Sequence, residues 1–228
     1  MTDLFRQIIS GIRDPDPAKR PVWPAVAFLI IIYVVGIAGI LLPIHPDFIR
    51  LTPLNLLVSV SLVLWYHPKW DGRTWTVIGL FFLTGFFAEM YGVQTGRLFG
   101  TYSYGEVLGW KIKGTPLMIG VNWVMLAYCA GVASYMLIPR LHWGFRALLG
   151  AVLMVSLDLL IEPIAIRYEF WYWPGDSVPL RNYLGWFLVA FPLQGAFALL
   201  QGQTRNKVAI ALFILQFLFF IILNLAGA

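Results

Sequence analysis

Seven apolar stretches limit what this chain can fold into. They run from Trp23 to Leu42, Leu51 to Tyr66, Thr74 to Tyr91, Pro116 to Ile138, Trp143 to Ile166, Leu184 to Gln201 and Val208 to Leu225. A hydrocarbon layer about 30 Å thick is crossed by about 20 apolar helical residues, because only a helix or a closed barrel satisfies its own backbone there. The second stretch is the shortest of the set. With 60% hydrophobic residues, 12% charged residues and a mean hydropathy of +0.77, the 228-residue chain is too apolar for an ordinary soluble domain. The expected fold is all-α: one polytopic transmembrane bundle of about seven spans, a single integral-membrane domain over 1–228.

Residues 1–22 form a polar and Pro-containing segment before the first span. Leu4, Phe5, Ile8, Ile9 and Ile12 share one helical face, which predicts an amphipathic helix lying in the membrane interface. Asp14-Pro15-Asp16-Pro17 ends it, and no signal peptide is expected. Cys129 lies within a span and reads as a small buried apolar residue. Basic residues outnumber acidic ones by 16 to 11 but sit at span ends, so the excess reports topology rather than nucleic-acid binding. An inside N-terminus puts Arg6, Arg13, Lys19, Arg20, Lys69, Arg73, Arg140, Arg146, Arg205 and Lys207 on the inner side. Arg50, Arg97, Lys111, Lys113, Arg167 and Arg181 then lie outside. That split favours an N-inside orientation, in a bacterial cytoplasmic membrane.

Two connections depart from the short-loop pattern. Between the third and fourth spans, Gly92, Gly96, Gly100, Gly105, Gly109 and Gly114 are interleaved with Arg97, Tyr102, Tyr104, Glu106 and Trp110. Between the fifth and sixth, 167–182 carries Trp171, Tyr172 and Trp173. These connections lie two spans apart, so they share one membrane face in either orientation. The first is expected to be partly re-entrant, with glycines permitting close backbone approach. The competing reading takes Gly92, Gly96 and Gly100 as a GxxxG surface for helix packing.

Three acids stand inside apolar stretches, where an ionisable group is costly and by default marks function. Glu89 lies near the loop end of the third span, and Asp158 and Glu162 lie one turn apart on one face of the fifth, before Pro163. Asn122 and Trp123 begin the fourth span at similar depth. Close carboxyls in a weakly solvated place resist double ionisation. One can therefore stay protonated near neutral pH and donate its proton, while an ionised partner orients water. The plainer reading pairs these acids with Arg97 or Arg167 as structural ion pairs.

Tryptophan and tyrosine near span ends normally belong to interfacial belts. Beside buried acids, however, Trp123, Trp171, Trp173 and Trp186 can stabilise a transient cation through their ring faces, or line an apolar polyene tunnel. His45, His67 and His142 are scattered over different connections and read as interfacial residues, so metal chemistry is a poor fit. No dinucleotide-binding glycine pattern, P-loop or hydrolase constellation occurs. Chemistry without a cofactor or metal is the expectation.

Four strings carry a family resemblance: FFAEMYGVQTGRLFGTYSYGEVLG, GTPLMIGVNW, DLLIEP with FWYW, and VPLRNYLGWF, together spanning about 81–187. They resemble the integral-membrane carotenoid biosynthesis proteins that act as carotenoid hydratases, the CruF type. The resemblance implies a cofactor-independent hydro-lyase that adds water to the terminal double bond of an acyclic carotenoid end, giving a tertiary alcohol. It also implies a carotenoid substrate, a lipid setting and other enzymes of carotenoid synthesis as partners. The residue chemistry suits that reaction: an acid protonates the alkene and water attacks the tertiary carbocation. The donor is Asp158 or Glu162, with Glu89 helping to hold water. Asn122, Tyr102 and Asn182 position the water or the acids. Tyr104, Trp123, Trp171, Trp173 and Trp186 are further substrate-site candidates, with Arg97 and Arg167 nearby. Where the family pattern has Asp before the proline, this chain has Glu162, which keeps the acid but changes its reach.

Three alternatives stay open. A protonated polyene end can cyclise or isomerise instead of taking water. The same acids can serve a small proton-coupled transporter, although no internal repeat supports one. The chain can also hold carotenoids without transforming them.

Overall fold

The computed structural model describes residues 20–42, 45 and 47–227; the expected interfacial helix over 2–13 lies outside them. Among the described residues, seven helices are long and apolar enough to cross a membrane. Helix α1 is Trp23–Leu41, and α2 is Thr52–Trp65. A 3-10 turn, Phe48–Leu51, runs straight into α2, and the joined Phe48–Trp65 segment reaches 18 residues. That extension makes up for the short second stretch.

Helix α3 is Gly72–Thr95, longer at both ends than hydropathy predicts. The Asp71 carboxylate accepts the Thr74 backbone N–H at 3.0 Å and sets the start. Gly96, with φ 63°, stops the helix in the left-handed conformation that glycine tolerates. Helices α4 (Leu117–Leu137), α5 (Trp143–Arg167), α6 (Leu180–Leu200) and α7 (Lys207–Leu225) follow. Helix α6 begins at Leu180 rather than Leu184, directly after Pro179, because its polar Asn182 turns into the bundle and is 2% exposed.

Helix α4 is the hub. It is apolar all round, 78% of its spanning window is buried, and it packs against α2, α3, α5, α6 and α7. Close approach to α3 depends on Gly85, where a Cβ would lie 2.2 Å from Trp123 Cγ.

The two long connections are tied together by backbone. Strand β1 (Ser103–Tyr104) pairs antiparallel with β4 (Trp171–Tyr172), placing Tyr104 opposite Trp171. Strands β2 (Lys111–Ile112) and β3 (Thr115–Pro116) close a small hairpin beside them. The GxxxG spacing is not a helix-pairing surface: Gly96 caps α3, Gly100 has φ 114° outside any helix, and Gly92 backs onto the Phe99 and Tyr102 rings of its own loop. Gly105 donates its N–H to the Phe170 carbonyl at 2.9 Å.

At the opposite membrane face, His67 is 1% exposed, not an interfacial belt residue as sequence suggests. Its Nδ1 lies 2.6 Å from the Tyr128 hydroxyl and its Nε2 3.0 Å from Thr74 Oγ1. Gln201 donates to the same Thr74 oxygen at 3.0 Å, and Asn206 donates to Tyr128 at 3.2 Å. This polar knot joins the α2–α3 and α6–α7 connections around α4.

Two stability predictions follow. A Cβ at position 105 would sit 1.9 Å from the Glu169 backbone oxygen, so Gly105→Ala must part the paired loops. Its thermal midpoint in detergent should fall by the equivalent of about 1–3 kcal/mol, with faster proteolysis between 100 and 115; an unchanged midpoint would remove Gly105 from the tie. Burial holds the His67 imidazole below the ordinary histidine range. The unfolded chain accepts a proton near pH 6.5 that the folded state resists, so stability is intact above about pH 6.5 and declines as pH falls through it. The thermal midpoint should drop from about pH 6.5 to about pH 5, and His67→Gln should flatten that decline.

Candidate active site

On the face closed by the paired loops, the three intramembrane acids line one chamber. Glu89 of α3 is 3% exposed, Asp158 of α5 1% and Glu162 of α5 2%. The walls also include Tyr102, Tyr104, Ile119, Asn122, Trp123, Trp171, Trp173, Asn182 and Trp186. All sequence-derived site residues except Arg97 and Arg167 therefore converge.

Neutral donors hold each carboxyl. Glu89 Oε2 accepts from the Tyr102 hydroxyl at 2.5 Å and the Tyr104 hydroxyl at 2.8 Å, while Oε1 accepts the Trp123 indole N–H at 3.2 Å. Glu162 Oε2 accepts indole N–H bonds from Trp171 at 2.8 Å and Trp173 at 3.0 Å. The Asn182 amide bridges the remaining two groups, donating to Glu162 Oε1 at 2.9 Å and Asp158 Oδ2 at 3.0 Å. Burial and the Glu89 carboxylate raise both loop tyrosines far above the ordinary phenol range, so Tyr102 and Tyr104 stay protonated donors.

The ion-pair reading fails among the described residues. Salt bridges among them join Arg50 to Asp47, Lys69 to Asp71 and Lys111 to Glu106, and none of these involves the three acids. Arg97 is exposed at the loop surface, and Arg167 at the end of α5 donates to the Gly227 carbonyl. Three buried carboxyls without a neighbouring cation cannot all be ionised, because each charge would lack compensation.

Asp158 differs from its neighbours. Glu89 and Glu162 each accept three hydrogen bonds, whereas Asp158 accepts one, on Oδ2. An indole N–H can only donate, so Glu162 Oε2, already taken by two of them, has little place for a proton of its own. Asp158 Oδ1 is the carboxyl oxygen best able to carry one.

Aromatic rings complete the walls. Trp123 stacks on Trp186 with centroids 4.4 Å apart and planes 17° apart, and Trp173 stacks on Tyr102 at 5.0 Å. The chamber has a cavity volume of about 20 Å³. That is enough for about one water. Asn122 stands in its wall half-buried, with its amide outside the carboxyl network.

Sequence reasoning missed Ile119, which lines this chamber and a larger one beyond it, and Gln216, which lines only the larger one. An isoleucine in an apolar helix carries no chemical signal, but the lone glutamine in the last span was a legible one.

Replacing Asn182 by leucine should leave two carboxyls without their shared donor at nearly unchanged volume. A loss of about 1–3 kcal/mol in unfolding in detergent is expected; unchanged stability would mean that the bridge does not hold the acids together.

Comparison with known proteins bears on what such a site does. The chain is 28% identical over 145 residues to a protein named bisanhydrobacterioruberin hydratase from Haloarcula japonica, an alignment covering 59% of this chain and 48% of that relative. The chain thus spans about half the length of the curated relative it matches. No solved structure matches it. The family model described as "Carotenoid biosynthesis protein" matches residues 51–228, which contain six of the seven spans and every wall of the acid chamber, and the chain belongs to that family.

Proposed function

We propose that this protein is a carotenoid hydratase that adds water across the terminal double bond of an acyclic carotenoid end group. The observation that carries the proposal is a buried chamber with room for about one water, where a single under-coordinated acid, Asp158, stands beside two carboxyls held by neutral donors. The hydratase name of the Haloarcula relative and the family membership support the same class of reaction.

The steps balance within the chamber. The Asp158 carboxyl gives its proton to the less substituted alkene carbon, the π bond breaks, and a tertiary carbocation forms at its neighbour. The flanking indole faces and the two remaining carboxyls oppose that positive charge. Water, oriented by the Asn122 amide, bonds to the cationic carbon through oxygen. Its surplus proton passes to the Asp158 carboxylate, restoring the acid, so the net change is one water added. No redox equivalent enters. Glu162 and Glu89 act as fixed acceptors that order the walls, with Tyr102, Tyr104, Trp171 and Trp173 locking their positions.

Product mass separates this reaction from its nearest rival. Hydration raises the mass of the carotenoid by one water and incorporates oxygen from labelled solvent, whereas cyclisation yields an isomer of unchanged mass. Membranes carrying the chain should convert lycopene or a monocyclic carotene to the heavier, more polar product. Asp158→Asn should lower that conversion by about 10²–10⁴-fold, the usual contribution of a positioned general acid, while leaving the protein folded. Full activity in that variant would remove Asp158 from the donor role, and an isomeric product would replace hydration with cyclisation.

A further inference from the structure

The acid chamber holds about one water, so the rest of a polyene must lie elsewhere. Its continuation is visible in the shared walls. Ile119, Asn122 and Trp171 also line a second chamber of about 110 Å³, bounded by residues of α1, α2, α4, α5 and α7. Ile40, Ile49, Thr52, Asn55 and Phe219 line both that chamber and a third space of about 310 Å³. The third space lies between α1 and α2, and its rim residues Phe28, Val35 and Leu54 are 45%, 52% and 59% exposed. Helix α1 packs far more extensively on α7 than on α2, leaving a seam along one side.

These three spaces run in series from a polar chemical end, through a mainly apolar bore, to an apolar surface suited to lipid. On the loop side, the buried rings of Tyr102, Tyr104 and Trp173 cover the acids. The second chamber also has an unspent polar atom: Gln216, 3% exposed, lines it, and its Oε1 has no hydrogen-bond partner among the described residues. A bound guest or an ordered water in the chamber would meet that acceptor.

We propose that the polyene substrate enters sideways from the bilayer between α1 and α2 and lies through this bore, with its reactive end at Asp158. The proposal rests on the hydratase reading for the identity of the guest. The route assigns specificity to residues outside the acid chamber: Ile40, Ile49 and Phe219 set the width at the inner junction. A long thin chain passes such a seam more easily than a bulky lipid bearing a polar headgroup.

A block applied after folding tests the route. Cys129 is fully buried, so Leu54→Cys or Val35→Cys at the two lips can be alkylated with a bulky hydrophobic maleimide on the folded protein. Leu199→Cys, 61% exposed on α6 and away from the seam, is the labelling control. In vesicles containing lycopene, each unlabelled variant should convert the pigment. Alkylation at 54 or 35 should stop conversion and alkylation at 199 should not. Equal conversion before and after alkylation at both lips would overturn the route. If the unlabelled protein binds lycopene, seen as quenching of tryptophan fluorescence, but converts none, the hydratase reading fails while the route is still read from that quenching. Alkylation at the lips should then abolish the quenching, and its persistence would overturn the entry path independently.

Discussion

The structure depends on one electrostatic constraint: three carboxyl groups share a buried chamber with no cation from the described residues paired to them. A charge in so poorly solvated a place is tolerated only when hydrogen bonds replace water. Here the replacements are indole N–H, phenol O–H and a carboxamide, groups that donate without adding a charge. An arginine in their place would compensate the acids fully and leave none ready to surrender a proton. Neutral donors order the carboxyls without adding a positive charge beside them.

That constraint explains why the irregular connections are built as they are. The donors to Glu89 come from the α3–α4 loop and from α4, and those to Glu162 come from the α5–α6 loop and α6. Each loop must therefore hold a fixed depth, and the β1–β4 pairing supplies it by bonding one loop to the other. Gly105 matters because this pairing brings two backbones into contact. The His67 knot performs the corresponding task at the far face, holding the other ends of the same helices.

The placement of the acids also divides labour along the bundle. Helices α3 to α6 build the chemical end. Helices α1, α2 and α7 meet it with an apolar bore, and α4 separates the two while lining both through Asn122 and Ile119. The proposed carbocation route would benefit from such a division, since the chemical end is closed off from bulk water and the proposed substrate would need only a slender path to reach it.

The sequence by itself determined the membrane-spanning class, the seven spans and the list of costly acids, because hydropathy and burial cost are local properties that need no knowledge of neighbours. Counting spans also placed the two aromatic loops on one face, and Asp158 and Glu162 on one helix side. Helix ends escaped hydropathy where caps set them, as at Asp71 and Gly96. Only the tertiary structure decided the partners. It set Arg97 and Arg167 apart from the acids, turned GxxxG from a helix contact into a cap and a ring-packing site, and buried His67. It also distinguished Asp158 from Glu162, which in sequence are two similar acids one turn apart. Their difference lies in how many donors reach each one from distant segments, and that number exists only once the chain has folded.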